Sequence, residues 1–393
     1  MTCPNAGLSS VSDGGDVVIE GVGAADGAGP APVLTGIWRP EQVTASWLTE
    51  ILGRAGALTH QRVVGFDTEV VGTGQMADSV RFRLRYDGEA PQAPTSVVGK
   101  FTAADDTSRS TGIAMRTSEV EVRFYQQVAS TVGVRTPRCY HGDVNPATAE
   151  FVLVLEDLAP ARPGDQVTGC DVDDAALALT ELAALHAPRW GDPALEQLEW
   201  LNRRTDESNE AGSVIFPMLF DGFAARYGDV LEEHVLGVGR RLMPHIGGYL
   251  RHQPRPWTVQ HADYRLDNLL FGTEEGGAPL AVVDWQTVTL GPAAADVSYF
   301  LGAGPSVDDR RAHEERLVAQ YHAALVAGGV TDYSFERCFT DYRRYAFAGY
   351  LMAVGASMMV ERTERGDEMF LAMARRHAAQ IIDLASHELL ADD

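Results

Sequence analysis

A single lysine stands among the 393 residues. The chain has 32 basic side chains, and every one except Lys100 is an arginine. Positive charge is scarce as a whole: 55 acidic residues outnumber the basic ones and leave a formal net charge of −23. A phosphate backbone would be repelled at long range, which argues against nucleic acid as a partner. A cationic ligand would gain from the same field. The four cysteines, Cys3, Cys139, Cys170 and Cys338, are scattered, with no C-x-x-C pair and no zinc-ligand spacing. No disulfide framework is expected. The beginning of the chain lacks a basic stretch followed by an apolar core, so no signal peptide is expected. The longest apolar run, Tyr345 to Val360, has 16 residues, short of the ~20 that cross a bilayer. It reads as a buried helix. These absences point to a cytoplasmic protein without a membrane partner; nothing in them assigns an oligomeric state.

What is present suits a globular chain of two lobes. Apolar residues make up 45% and charged residues 22%, and the length allows a substantial core. Residues 1–35 are rich in Gly, Ala, Ser and Asp without periodicity and read as a flexible leader. A helix is expected over 40–58, with Trp47, Leu48, Ile51 and Leu52 on one face. The period then changes to two. Ser79 to Tyr86 alternates polar and apolar side chains as a half-buried strand does, and a second short strand is expected over 96–101. A helix over 119–130 carries Val120, Phe124 and Val128 in register, and Phe151 to Leu155 reads as a buried strand. Beyond Pro160 the pattern is helical at 173–187, 211–235, 306–328, 336–360 and 366–390. The exception is 257–301, an island of short apolar runs and turn residues. The expected fold is α+β: a small antiparallel-sheet lobe over 36–158, then a mostly helical lobe over 159–393 with a catalytic loop at 259–286.

The island carries the chemistry. It reads His261-Ala262-Asp263-Tyr264-Arg265-Leu266-Asp267-Asn268, and Asp284 follows sixteen residues after Asn268 in Val282-Val283-Asp284-Trp285-Gln286. A phosphotransferase needs this set. One carboxylate, Asp263, accepts or orients the proton of a substrate hydroxyl. An amide oxygen, Asn268, and a second carboxylate, Asp284, hold magnesium against nucleotide phosphates. His261 would brace the loop rather than react. The same residues could simply cap turns, but asparagine is scarce, with five in the chain, and Asp284 follows a β-branched run at hairpin distance.

These motifs resemble the aminoglycoside phosphotransferase and choline kinase superfamily, which shares the protein-kinase fold. His-Ala-Asp-Tyr-Arg-Leu-Asp-Asn and Val-Asp-Trp-Gln look most similar to its ecdysteroid-kinase-like branch. The resemblance implies ATP, or sometimes GTP, with Mg2+, and transfer of the γ-phosphate to an alcohol it does not identify. It also asks for a cation on the phosphates. Lys100, in Val97-Val98-Gly99-Lys100-Phe101, answers, because ordinary surface cations in this chain are arginines and a compact ammonium suits a tight phosphate site. The family's Glu-x-x-Phe-Tyr pattern nominates Glu121 as its partner. Ser118 with Glu121 also fits a capping box, and Glu119 is the other candidate. Gly72 and Gly74 permit close backbone approach to phosphates, and Ser79 could donate to them. By resemblance the backbone of Glu156 and Leu158 meets the base at the hinge.

Other features have structural readings. Asp171 to Asp174 suits a helix cap and first turn, His186 with Trp190 suits core packing, and Asp296 suits an anchor for the catalytic loop. From a different class, a catalytically silent nucleotide-binding scaffold would share the fold; the presence of Lys100, Asp263, Asn268 and Asp284 together argues against it.

Overall fold

Strand parity decides which side chains meet in the small lobe. The computed structural model describes residues 36–71, 77–103 and 112–390, all of them within one unit, Leu34–Asp393. The leader at 1–35 and the turn glycines Gly72 and Gly74 lie outside the described residues. The first helix, α1 (Ala45–Arg54), is capped by Thr44, whose hydroxyl accepts from Trp47 N at 3.2 Å. It is shorter than expected because Pro40–Gln42 forms a separate 3-10 turn. Strands β1 (Val63–Val70), β2 (Ala77–Tyr86) and β3 (Ser96–Thr102) precede helix α2 (Thr117–Gln127), and β4 (Cys139–Asn145) and β5 (Glu150–Glu156) follow it. The five strands form one antiparallel sheet in the order β1-β2-β3-β5-β4. Val97 and Phe101 of β3, with Val152 and Val154 of β5, pack against Trp47, Leu48, Ile51 and Leu52 of α1. The alternate residues of β5, Phe151, Leu153 and Leu155, join a second core with Val120, Phe124 and Val128. Lys100 pairs in register with Leu153. A period of two therefore turns the lysine toward the α2 side of the sheet.

The rest is mostly helical. Helix α3 (Val172–His186) opens on Asp171, whose carboxylate accepts from Asp173 N at 3.0 Å and Asp174 N at 2.8 Å. Two long segments expected as single helices are each divided. Residues 211–235 fall in α4 (Asp206–Tyr227) and α5 (Glu233–Leu242), with a turn after Gly228. After the short α6 (Ile246–Arg251) come the irregular residues that carry the candidate site. They include the hairpin of β6 (Leu269–Thr273) and β7 (Gly276–Val282).

They also include a helix, α7 (Ala294–Ala303), where only loops and a hairpin were expected. Its residues are buried on every side except Ala295, so it lacks the apolar stripe that betrays a surface helix. Helices α8 (Val307–Ala327), α9 (Phe335–Arg344), α10 (Phe347–Met359) and α11 (Glu364–Asp383) complete the chain. The second division, at Tyr345 and Ala346, separates α9 from α10. Among the described residues, no helix is long and apolar enough to cross a membrane.

Candidate active site

Lys100 does not point into solvent. Its Nζ donates to both carboxylate oxygens of Glu121 at 2.7 Å and reaches Asp284 Oδ1 at 3.3 Å. The choice between glutamates follows from helix geometry. Helix α2 starts after Arg116, whose φ of 57° is left-handed and whose side chain makes no cap. Ser118 thus sits inside the helix rather than capping it. Glu119 is taken by Arg116 Nε at 3.1 Å, and Glu121 faces the sheet, 2% exposed.

Burial on its own would depress the Lys100 ammonium, but the carboxylates of Asp284 and Glu121 outweigh it and hold the amine above its ordinary range. The lysine is a fixed cation at any physiological pH. Burial pushes the Glu121 carboxyl up, with Lys100 opposing. At Asp284 burial acts in the same sense, yet Lys100 prevails and the carboxyl lies below its usual range.

Asp284 and the loop at 261–268 meet through backbone hydrogen bonds. Val283 N donates to Asn268 O at 3.0 Å, which brings the next residue, Asp284, beside Asn268. Asp284 is held at φ 66°, a left-handed conformation that costs roughly 1–2 kcal/mol and that aspartate tolerates better than most residues. Ala262 is also left-handed, at φ 63°. The carboxylate of Asp296 compensates by accepting from His261 N at 2.7 Å and Ala262 N at 2.9 Å. His186, fully buried, lies 3.3 Å from the same carboxylate through Nε2 and 2.7 Å from the Tyr321 hydroxyl through Nδ1. His261, also fully buried, spans the loop: its Nδ1 accepts from Asp263 N at 3.3 Å and its Nε2 contacts Val283 O at 3.0 Å.

Asn268 Nδ2 donates to Asp263 O at 2.9 Å and to Asp263 Oδ2 at 3.0 Å. Those bonds occupy both amide protons and leave Oδ1 as the acceptor of that side chain. A neutral amide oxygen beside a carboxylate is a hard, all-oxygen donor pair. It suits Mg2+, which takes one or two protein ligands and completes its shell with water and phosphate. No group of three or more His, Cys, Asp or Glu side chains among the described residues is arranged to hold a metal, so a dedicated protein cage is not the arrangement found.

Residues 109–346 match the model of the phosphotransferase enzyme family, APH. That span is more than half of the chain. The protein belongs to this phosphotransferase family. Curated relatives match shorter stretches: an uncharacterized kinase-like protein of Caenorhabditis elegans is 28% identical over 131 residues, which are 32% of this chain and 35% of that protein. Acyl-CoA dehydrogenase family member 10 of Mus musculus is 46% identical over 59 residues, 15% of this chain and 5% of that protein. The chain thus spans about a third or less of the curated relatives it matches.

Among solved structures, the GDP complex of a wild-type aminoglycoside 2'-phosphotransferase is similar at 14% identity and TM-score 0.47, covering 84% of this chain and 97% of that one. Ethanolamine kinase of Plasmodium vivax is similar at 10% identity and TM-score 0.47, covering 83% and 85%. Choline kinase of Cryptosporidium parvum has 8% identity and TM-score 0.49, covering 83% and 90%.

In this phosphotransferase the remaining expected residues lie where the strands leave them. Ser79 pairs with Lys100 across β2 and β3. Glu156 ends β5 with its carboxylate on Arg135 at 2.7 Å and its backbone N on Arg138 O at 2.8 Å. Leu158 lies two residues further on, past Asp157, which binds Arg81 Nε and Ser96 Oγ at 2.6 Å each. Two residues on the carboxylate of Asp263 were not anticipated from the sequence. Tyr299 OH donates to Asp263 Oδ1 at 2.7 Å, and Arg265 Nε lies 3.1 and 3.2 Å from its two oxygens. Arg265 stands in the motif, two residues after Asp263. Tyr299 could have been found only by reading α7 as a helix, since it lies one turn beyond Asp296.

Proposed function

We propose that this phosphotransferase is an ATP-dependent small-molecule kinase that moves the γ-phosphate onto a hydroxyl of an alcohol acceptor in the cytoplasm, with GTP as an alternative donor. The observation that carries the reading is the convergence on Lys100: its ammonium lies 2.7 Å from Glu121 and 3.3 Å from Asp284, although the three residues are far apart in the chain. Lys100, held by Glu121, contacts the nucleotide phosphates; the backbone of Glu156 and Leu158 meets the base; Ser79, with Gly72 and Gly74 of the preceding turn, lines the phosphates. Asn268 and Asp284 hold Mg2+, which neutralises phosphate charge when bound. Asp263 orients the acceptor hydroxyl and takes its proton as the bond to phosphorus forms. His261 keeps the loop in shape. Most of the barrier reduction comes from positioning and charge stabilisation.

The deciding experiment is an ATP-consumption screen against hydroxylated metabolites and antibiotics. The resemblance of the catalytic motifs to the ecdysteroid-kinase-like branch puts lipophilic alcohols in that panel, and the net charge of −23 puts cationic ones there. An Asp263→Asn variant is expected to lose at least about 100-fold in turnover while nucleotide binding persists. Nucleotide-dependent thermal stabilisation with no consumption against any acceptor would instead favour a silent scaffold.

A further inference from the structure

We propose that Tyr299 is the positioning residue of the catalytic carboxylate: its hydroxyl sets the rotamer of Asp263, and α11 exists in part to hold that hydroxyl still. The proposal rests on the phosphotransfer reading of Asp263. Among the described residues, three side chains bond the carboxylate. Arg265 touches both oxygens, Asn268 takes Oδ2 at 3.0 Å, and Tyr299 takes Oδ1 at 2.7 Å. Arg265 also pairs with Asp267 and lies 3.3 Å from Met369 Sδ, so its guanidinium is shared. Asn268 has a second task as the amide donor of the metal pair. Among the described residues, Asp263 is the one hydrogen-bond partner of Tyr299 OH.

The tyrosine is built in. It is 5% exposed, and burial, then the Asp263 charge, pushes its phenol well above the ordinary range, so it remains a proton donor. Its ring stacks on His377 of α11, with centroids 5.9 Å apart and planes 12° apart. His377 in turn fills a slot between two glycines. A Cβ on Gly302 would fall 2.1 Å from its Nδ1, and one on Gly349 would fall 1.9 Å from its Nε2. Either side chain would expel the imidazole that backs Tyr299. Gln380, one turn beyond His377, donates to Ser298 O at 3.2 Å and to Tyr342 OH at 3.0 Å, which ties α11 to the residue next to Tyr299. Helix α7 therefore grips the catalytic loop at two levels one turn apart. Asp296 fixes the backbone of His261 and Ala262, and Tyr299 fixes the carboxylate of Asp263.

Tyr299→Phe removes one oxygen and keeps the ring against His377. The test follows steady-state hydrolysis of Mg-ATP, with water as acceptor, in the full chain and in Y299F, D263N and the double variant. In Y299F the rate constant is expected to fall about tenfold or more, the loss of one hydrogen bond to a charged group, with the KM for Mg-ATP unchanged. The double variant is expected to be no slower than D263N alone. A wild-type rate constant in Y299F, or a further loss in the double variant, would overturn the proposal.

A second measurement needs no turnover. The downfield phenolic proton that Y299F abolishes in NMR spectra is expected to shift in D263N, and an unmoved proton would show the contact to be absent. A wild-type chain that neither hydrolyses Mg-ATP nor is stabilised by it would overturn phosphotransfer and this role with it, whereas an unmoved proton beside normal hydrolysis would overturn the positioning role alone.

Discussion

Lys100 sits where an arginine would be the ordinary choice of this chain, and its surroundings explain the exception. The ammonium fits between both oxygens of Glu121 and one of Asp284, with 17% of the side chain exposed and 3% of Glu121. A guanidinium is planar, broader and longer, and cannot serve as a point charge for two carboxylates and the proposed phosphate at once. Lys100→Arg is expected to fold and to lose at least about 100-fold in turnover; wild-type turnover in that variant would remove the lysine from the mechanism. Lys100→Met carries a second penalty, because Glu121 and Asp284 then face each other without a cation. Breaking a buried pair from one side costs about 3 kcal/mol or more. Urea denaturation should register that loss, and adding Glu121→Gln to Lys100→Met should recover part of it.

At the scale of elements, the segments that carry Lys100's partner Glu121 and Asp284 are joined by an aromatic stack. Phe124 of α2, one turn beyond Glu121, lies on Trp285 with centroids 4.0 Å apart and planes 9° apart, and both rings are fully buried. Helix α2 therefore cannot shift without moving the turn that holds Asp284. Phe124→Leu keeps most of the apolar volume and removes the stack, worth about 1 kcal/mol beyond its area. Thermal melts should drop accordingly, and the stabilisation conferred by Mg-ATP should shrink; an undiminished Mg-ATP effect would mean the stack does not couple the two halves of the site. Much of this arrangement was legible in the sequence, for reasons particular to these segments. Alternation over Ser79–Tyr86 and the apolar run Phe151–Leu155 give the parity that faces Lys100 toward α2, and the spacing from Asp263 to Asn268 to Asp284 survives as a loop and a hairpin. Helix α7 was not legible, because a helix buried nearly all round has no polar face to set a period. Tyr299 was hidden with it. The break inside 336–360 escaped for the opposite reason: apolar residues run across Tyr345–Ala346 without a proline or glycine to mark it.

For the whole molecule, the pH dependence of stability follows from which groups the core keeps uncharged. His377 is fully buried. Burial, opposed by Gln380 and aided by Arg310 and Arg376, holds it down at about 3 against an ordinary 6.5. The native state therefore keeps a neutral imidazole, while the unfolded chain takes up a proton as the pH falls through 6.5. Above that value His377 makes no pH-dependent contribution, and below it stability is lost until the native group also titrates. Between pH 7 and pH 5 the loss is roughly 2 kcal/mol for one such histidine. His141, held down to about 4 chiefly by burial, acts in the same sense, whereas the carboxyls of Glu121, Glu181 and Asp341, raised chiefly by burial, take up protons in the native state and oppose it. A His377→Gln variant isolates the one term from the others. Unfolding free energies from urea titrations at pH 7 and pH 5 should differ by roughly 2 kcal/mol less in the variant than in the wild-type chain. An equal difference in the two proteins would mean that the native state admits the proton, and that the slot between Gly302 and Gly349 is open to water at the back of Tyr299.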